Sequence, residues 1–278
     1  MKIAISGISG FLGSHLAAFF SKENEVSGIS TSIREIREIP IYSFEQLHQI
    51  DNPDIVIHCH AAVASGNTAP DQKTLFDANV LATEKITAYF PKAAHLYISS
   101  VSVYGAFPET IDERSAASPL TDYAISKYWG EIAVLKSEKS AVIRLSSLFG
   151  NGMKENTLIP NYTNQAVQNE RIEVWGNGER KQNYIHISDV AKLIEAIILK
   201  QAWNRTVFLA VDEQEHSNLE AAKIIALLTR AEIVFKHNDH ALSVHYNNIF
   251  TQNSVNWRPE TTLSEGLKQY LAWKKRQS

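Results

Sequence analysis

Two residues on one helical face could move a proton. Tyr123 and Lys127 stand four positions apart, and on a helix residues i and i+4 project the same way. A phenol with a pKa near ~10 is a poor base at neutral pH, and an adjacent ammonium favours its phenolate form. Ser100 closes an apolar run upstream and offers a hydroxyl that could orient a substrate oxygen. Lys127 could also bond a ribose hydroxyl. Such a trio suits hydride transfer at a carbon bearing a hydroxyl or ketone, because the oxygen must release or take up a proton as hydride leaves or reaches the carbon. Tyr-x-x-x-Lys alone recurs by chance on helix surfaces, so its weight depends on its surroundings.

Residues 7–13 read Gly-Ile-Ser-Gly-Phe-Leu-Gly, directly after the apolar run Lys2 to Ser6. Gly7 permits a tight turn, Gly10 lets the backbone approach a pyrophosphate, and Gly13 lets a helix lie close to the strand. The helix N-terminus, with Phe11 and Leu12 in its first turn, would present free N–H groups to the phosphates. The spacing differs from Gly-x-Gly-x-x-Gly, and a turn without a ligand is the bland alternative; the seat between first strand and first helix favours a dinucleotide. At the end of the second strand a carboxylate would accept from both ribose hydroxyls of NAD. Here Ser30, Thr31 and Ser32 stand, with Arg34 behind. Hydroxyls and a guanidinium suit a 2′-phosphate, so NADP is favoured over NAD.

The elements that must position these groups follow from the apolar pattern. Helices are predicted over Ser14 to Lys22 (stripe Leu12, Leu16, Phe19, Phe20), Thr74 to Phe90, stopped by Pro91, and Asp122 to Leu135. Strands are predicted over Lys2 to Ser6, Val26 to Ser30, Ile55 to His58, Leu96 to Ser100 and Val142 to Leu145. Alternating strands and helices imply right-handed crossovers and a parallel sheet. Near-continuous apolar strands fit a sheet covered on both faces. The fold class is therefore α/β, a Rossmann-type doubly wound sheet with a smaller C-terminal lobe. The dinucleotide-binding domain is expected over 1–150 and a mainly substrate-binding lobe over 151–278, with part of 185–205 packing back on the first. Ligands in such sheets bind beyond the carboxyl ends of strands. The loop His58 to Ala62, the turn Ser99 to Tyr104 and the stretch Arg144 to Gly150 should line one crevice with the glycine loop; His60, Ala61, Ala62 and Ser99 are expected beside the cofactor.

Bulk properties exclude some classes. The chain has 278 residues, a net charge of −3 and 44% hydrophobic residues, which gives no electrostatic case for nucleic acid or an anionic membrane surface. One cysteine, Cys59, excludes an internal disulfide and suits a reducing compartment, so a cytoplasmic protein without leader or membrane span is expected. His58 and His60 flank Cys59, but no further ligands at usable spacing complete a metal site. His186 and Asp189 read as a strand-to-helix junction, with Asp189 near a helix N-terminus.

These motifs resemble the extended short-chain dehydrogenases/reductases of the NAD-dependent epimerase/dehydratase branch, nearly end to end. Ser6-Gly7 to Gly13 is similar to the glycine fingerprint, and Pro53 to His58 to the fourth strand. Ser99 to Gly105 is similar to the serine-bearing turn, with Ser100 at the catalytic serine. Tyr123 to Lys127, followed by Glu131, resembles the active-site helix; Gly176 to Asp189 and Asn256 to Pro259 resemble parts of the second half. The resemblance implies a nicotinamide cofactor, a nucleotide-sugar substrate, hydride transfer at a sugar carbon such as C4, and a homodimer packed through Thr74 to Phe90 and Asp122 to Leu135. It also points to Ser100, Ser147, Thr157, Arg180 and Gln182 for the substrate. The departures are specific. Sugar 4,6-dehydratases of this family carry Asp-Glu after the catalytic hydroxyl; here Val101 and Ser102 stand there, which disfavours dehydration. The diphosphate-clamping arginine is replaced by Gln182, with Arg180 and Lys181 beside it, and a frequent asparagine by Ser147. The expectation is a 4-keto sugar reductase using NADP, with a 4-epimerase retaining NAD as the alternative. A cofactor-binding regulator without turnover and a reductase of small aldehydes or ketones are further competitors.

Overall fold

The computed structural model describes residues 1–32, 36, 38–63, 68–106, 109–239 and 241–277. Seven strands form the large sheet: β1 (Lys2–Ser6), β2 (Glu25–Ile29), β3 (Ile41–Tyr42), β4 (Ile55–His58), β5 (Ala94–Ser100), β6 (Ser140–Leu145) and a later strand, β10 (Asn204–Ala210). Their order is β10-β6-β5-β4-β1-β2-β3, and every adjacent pair is parallel. This is the expected Rossmann-type sheet. β1 lies between β4 and β2, so the chain leaves β1 to one side and returns on the other. The loops diverge there, and the crevice they leave is where such sheets bind ligands.

Strand alternation sorts the two faces. Ile3, Ile5, Ile55, Ile57, Leu96, Ile98, Ile143 and Leu145 pack with α1 (Phe11–Phe20) and α6 (Ile187–Lys200) in one apolar core. The opposite face carries His58, His95, Tyr97, Ser99 and Arg144, all buried. The strands are thus apolar throughout on one side only. α4 (Asp122–Leu135) covers the polar side. Thr121 caps it, accepting from Ala124 N–H at 3.2 Å, a contact worth about 1 kcal/mol that fixes where the Tyr123 turn begins.

The stretch expected as one long helix is built as α2 (Gln72–Phe76), a π turn over Asp77–Leu81, and α3 (Ala82–Tyr89). The π turn carries the buried Asn79 inward, where its side chain accepts from Ala62 N–H at 2.8 Å and donates to Ser126 Oγ at 2.8 Å. Such turns often sit at functional sites. Phe76, Leu81 and Tyr89, apolar positions of this stretch, are exposed on its outer face.

After residue 150 the chain contributes to both layers. α6 and β10 join the large sheet, whereas β7 (Ser147–Phe149), β9 (Lys181–His186) and β11 (Glu215–Ser217) form one small sheet. β8 (Arg171–Trp175) and β12 (Glu232–Lys236) form another. A second core, including Phe149, Ile159, Tyr184, Ile225 and Leu267, joins these strands to α5 (Leu158–Asn169), α7 (Asn218–Thr229) and α9 (Leu263–Lys275). The short α8 (Ile249–Val255) packs near β10. His186 caps α6, and Asp189 in its first turn accepts from Thr261 N–H at 3.0 Å.

Candidate active site

The glycine loop is as tight as its sequence requires. Gly7 has φ +68°, a conformation that favours glycine, and donates to Ile29 O at 2.8 Å. A Cβ at Gly13 would lie 2.2 Å from Gly7 O, and one at Gly7 would lie 2.6 Å from His60 N. α1 begins at Gly10 with no side-chain cap and no acidic residue in its first turn. Among the described residues of its first turn no acidic side chain competes for the N–H groups and positive dipole end of α1, which fits a pyrophosphate.

Beyond this loop lies a cleft of about 460 Å³. Of the residues expected at the site, Gly7, Gly10, Phe11, Leu12, Ser30, Thr31, His60, Ala61, Ser99, Ser100, Tyr123 and Lys127 line it together. Gly13 lies beneath the loop against Gly7. Ala62 is turned to Asn79 by the bond above. Ser32 completes a hydroxyl cluster at the end of β2: Ser9 Oγ is 2.9 Å from Ser30 Oγ and 3.3 Å from Ser32 Oγ. Arg34 falls outside the described residues. The expected substrate residues Ser147, Thr157, Arg180 and Gln182 do not line this cleft. Arg180 lies 4.0 Å from Asp239, Gln182 donates to Asn218 Oδ1 at 2.7 Å, and Thr157 donates to Lys154 O at 3.3 Å. Ser147 is exposed on β7.

Burial raises the Tyr123 pKa, with the Ser100 hydroxyl pulling the other way. This differs from the expected ammonium-lowered phenol, because desolvation of the phenolate dominates in the cofactor-free chain. Lys127 is itself lowered to about 7 by burial, against the opposing pull of Glu131 and Cys59. Beneath them, Glu131 accepts from Ser99 Oγ at 2.5 Å, from Arg144 Nε at 3.0 Å and from Arg144 Nη2 at 2.7 Å. The Arg144 guanidinium also lies 4.6 Å from the Tyr104 ring centroid. This tie joins the helix of Tyr123 and Lys127 to the two strand ends beside Ser100.

The histidines serve the scaffold. His95 contacts Phe90 O through Nε2 at 3.0 Å and His58 Nε2 through Nδ1 at 3.0 Å. A carbonyl only accepts, so His95 Nε2 carries hydrogen and its Nδ1 accepts from His58 Nε2–H. His60 joins Ser6 Oγ at 2.5 Å to Thr83 Oγ1 at 3.0 Å, which braces the first strand against α3. Cys59 and Ser146, within the two loops expected to border the crevice, also line the cleft, as does Lys154, of which sequence spacing offered no sign. Glu131 had a sign, its place one turn beyond Lys127.

Comparison with known proteins agrees with this architecture. A UDP-glucuronic acid 4-epimerase from Bacillus cereus, in complex with NAD, superposes with a TM-score of 0.87 at 20% identity, over 100% of this chain and 99% of that one. MoeE5 in complex with UDP-glucuronic acid and NAD gives 0.86 at 20% identity, over 100% of both chains. At these identities the likeness shows the shared fold. A putative UDP-glucose 4-epimerase of Methanocaldococcus jannaschii is 25% identical over 98% of both chains. A dTDP-D-glucose 4,6-dehydratase of Dictyostelium discoideum is 25% identical over 81% of this chain, a match spanning 61% of that protein's length. The model of the NAD dependent epimerase/dehydratase family matches residues 3–208, and with that match the chain belongs to this family.

Proposed function

We propose that this chain transfers hydride at C4 of a nucleotide-linked sugar, reducing a 4-keto sugar with NADPH. The observation that carries this reading is the convergence of Ser100, Tyr123 and Lys127 on the cleft bordered by the glycine loop. A nicotinamide bound there would supply the hydride. Gly7, Gly10 and the first turn of α1 hold the pyrophosphate; Ser30, Thr31 and Ser32 meet the adenosine ribose, where the missing carboxylate favours a 2′-phosphate. Ser100 holds the sugar oxygen, Lys127 bonds the nicotinamide ribose, and Tyr123 gives the proton. A phenol is protonated at neutral pH, and burial raises the Tyr123 pKa further, so Tyr123 can act as the acid that reduction requires.

The second reading is a 4-epimerase that retains NAD, favoured by relatives named as UDP-sugar 4-epimerases and by the NAD in such structures. Dehydration is disfavoured by the absence of a carboxylate in the turn Val101–Tyr104. Exposed Phe76, Leu81, Ile125, Trp129 and Ile132 on the outer helices support a homodimer through that face. Among the described residues no helix is long and apolar enough to cross a membrane, and the single cysteine supports a cytoplasmic setting.

The test offers the purified chain UDP- and dTDP-linked 4-keto sugars with NADPH or NADH, and the matching 4-hydroxy sugars without added cofactor. Net NADPH oxidation supports the reductase; an isomer formed without net oxidation supports the epimerase. Tyr123→Phe should lower kcat by about 10²–10⁴-fold with cofactor affinity retained. Turnover at the wild-type rate in that variant would remove Tyr123 from the mechanism.

A further inference from the structure

Lys127 is buried, with 2% of its surface exposed, yet no carboxylate is dedicated to it. Glu131, one turn further along α4, already accepts from Ser99 and twice from Arg144. What Lys127 meets instead is an aromatic face. Its Nζ lies 4.2 Å from the centroid of the Tyr97 ring, within the range of a cation–π contact. Tyr97 is fully buried on β5, and its hydroxyl turns away from Lys127 toward α3 and the π turn, meeting the Asn79 carbonyl at 3.4 Å and Thr83. The ring, rather than the hydroxyl, is the part placed to act on Lys127.

The other titratable groups around the ammonium supply no counter-charge. From β4 and the loop after it come His58, whose pKa burial lowers, His60, lowered to about 3, and Cys59, whose thiol burial pushes up to about 12. All three are neutral at pH 7. From β5 comes Tyr97 and from α4 itself Tyr123, both raised by burial and so both neutral. From β6 comes Arg144, whose charge is matched by Glu131.

We propose that Tyr97 is a positioning residue whose ring face seats the Lys127 ammonium and holds that side chain beneath the cleft. An aromatic seat suits a lysine that must also meet a cofactor: it stabilises the charge without directional hydrogen bonds, so the N–H donors stay free to turn toward the cleft. The catalytic consequence rests on the reading given under Proposed function; the seat itself does not.

The test varies the electron density of the ring at nearly constant size. Lys127 is titrated by NMR of ¹³C-lysine-labelled, cofactor-free protein. The series comprises wild type, Tyr97→Phe, and the Tyr97→Phe chain with one, two or three fluorines on ring 97. Tyr97→Phe should titrate close to wild type, because the face survives. Successive fluorines drain its negative potential and should lower the Lys127 midpoint stepwise, by about one pH unit in all. A midpoint unmoved by fluorination overturns the seat, since a ring that only fills space would change stability and not titration. In turnover the pH limb assigned to Lys127 should move in the same direction. If the midpoint moves but no sugar substrate is turned over, the seat stands and the reaction reading falls.

Discussion

Replacing Glu131 by glutamine should strand a buried charge. Glu131 is fully buried and Arg144 is 5% exposed, with Nη2 2.7 Å from Oε2 and Nε 3.0 Å from Oε1. At an effective dielectric of ~20, unit charges about 4 Å apart attract by about 4 kcal/mol. Removing one partner of such a pair costs about 3–5 kcal/mol, because the other charge remains desolvated. Glu131→Gln keeps the volume and one acceptor oxygen, so the lower end applies, about 3 kcal/mol. Urea unfolding should show a lower midpoint at unchanged slope, and Tm should fall by roughly 6–12 °C. The double change Glu131→Leu with Arg144→Met should recover much of the loss, because it removes both charges. Activity should report the same tie. Ser99, bonded to Glu131 at 2.5 Å, adjoins Ser100, so Glu131→Gln should lower kcat more than it raises KM. A stability change under about 1 kcal/mol in the single variant would show that the pair is hydrated and that the argument from burial is mistaken.

Two further outcomes follow from burial and exposure. Burial lowers Lys127 to about 7 in the folded chain against 10.5 for a free lysine. Between those values the unfolded chain holds a proton that the folded one lacks, so unfolding free energy rises with pH across that window, and the burden of burying the ammonium is largest below it. Lys127→Met should therefore stabilise the chain at pH 6, on the order of 2–4 kcal/mol, and by much less at pH 10; urea midpoints giving an equal gap at both pH values would contradict this. Trp129, 49% exposed and edge-on to Phe76 with centroids 5.6 Å apart, should lie at the centre of the dimer face. Trp129→Glu should sediment as a monomer where wild type sediments as a dimer; a monomeric wild type at tens of micromolar would remove the interface.

The cleft was legible in sequence because its parts are backbone devices and short spacings. Gly7 and Gly13 report steric demands that any residue with a Cβ would violate, and the i to i+4 spacing of Tyr123 and Lys127 sets one helical face. α4 and β4 were readable to their ends, since Thr121 and the Asn52-Pro53-Asp54 turn punctuate them. β10 was harder to read, because its partner β6 lies some sixty residues upstream and nothing local announces a return to the large sheet. The π turn at Asp77–Leu81 was hidden for a similar reason: what holds it in place is the Asn79 contact with Ala62 and Ser126, not helix propensity. Which of the apolar positions Phe76, Leu81 and Tyr89 would be exposed could not be read locally, because an apolar stripe looks the same whether it meets its own sheet or a second molecule. The second-half substrate residues were placed by resemblance alone, and Arg180 and Gln182 are held by Asp239 and Asn218, partners that sequence could not foresee.

The distribution of polar residues across the large sheet explains why chemistry gathers under α4. A parallel sheet covered on both sides can be apolar on both, and on the α1 and α6 side it is. On the α4 side it carries His58, His95, Tyr97, Ser99 and Arg144, buried among groups that α3 and α4 bring down to meet them. Each buried polar group left unpaired would cost about 1–3 kcal/mol, so this layer tolerates few alternative packings. A slide of α4 by one turn would separate Glu131 from Arg144 and Ser99 and Lys127 from Tyr97 at once. The polar layer thus fixes the register of the helix against the strand ends. An apolar interface, with no directional bonds to lose, would permit a slide more readily. The proposed hydride transfer would require Tyr123 and Ser100 to meet the same oxygen, and small misplacements are expensive in rate. The residues that give this register its rigidity therefore belong to the function as much as those that line the cleft.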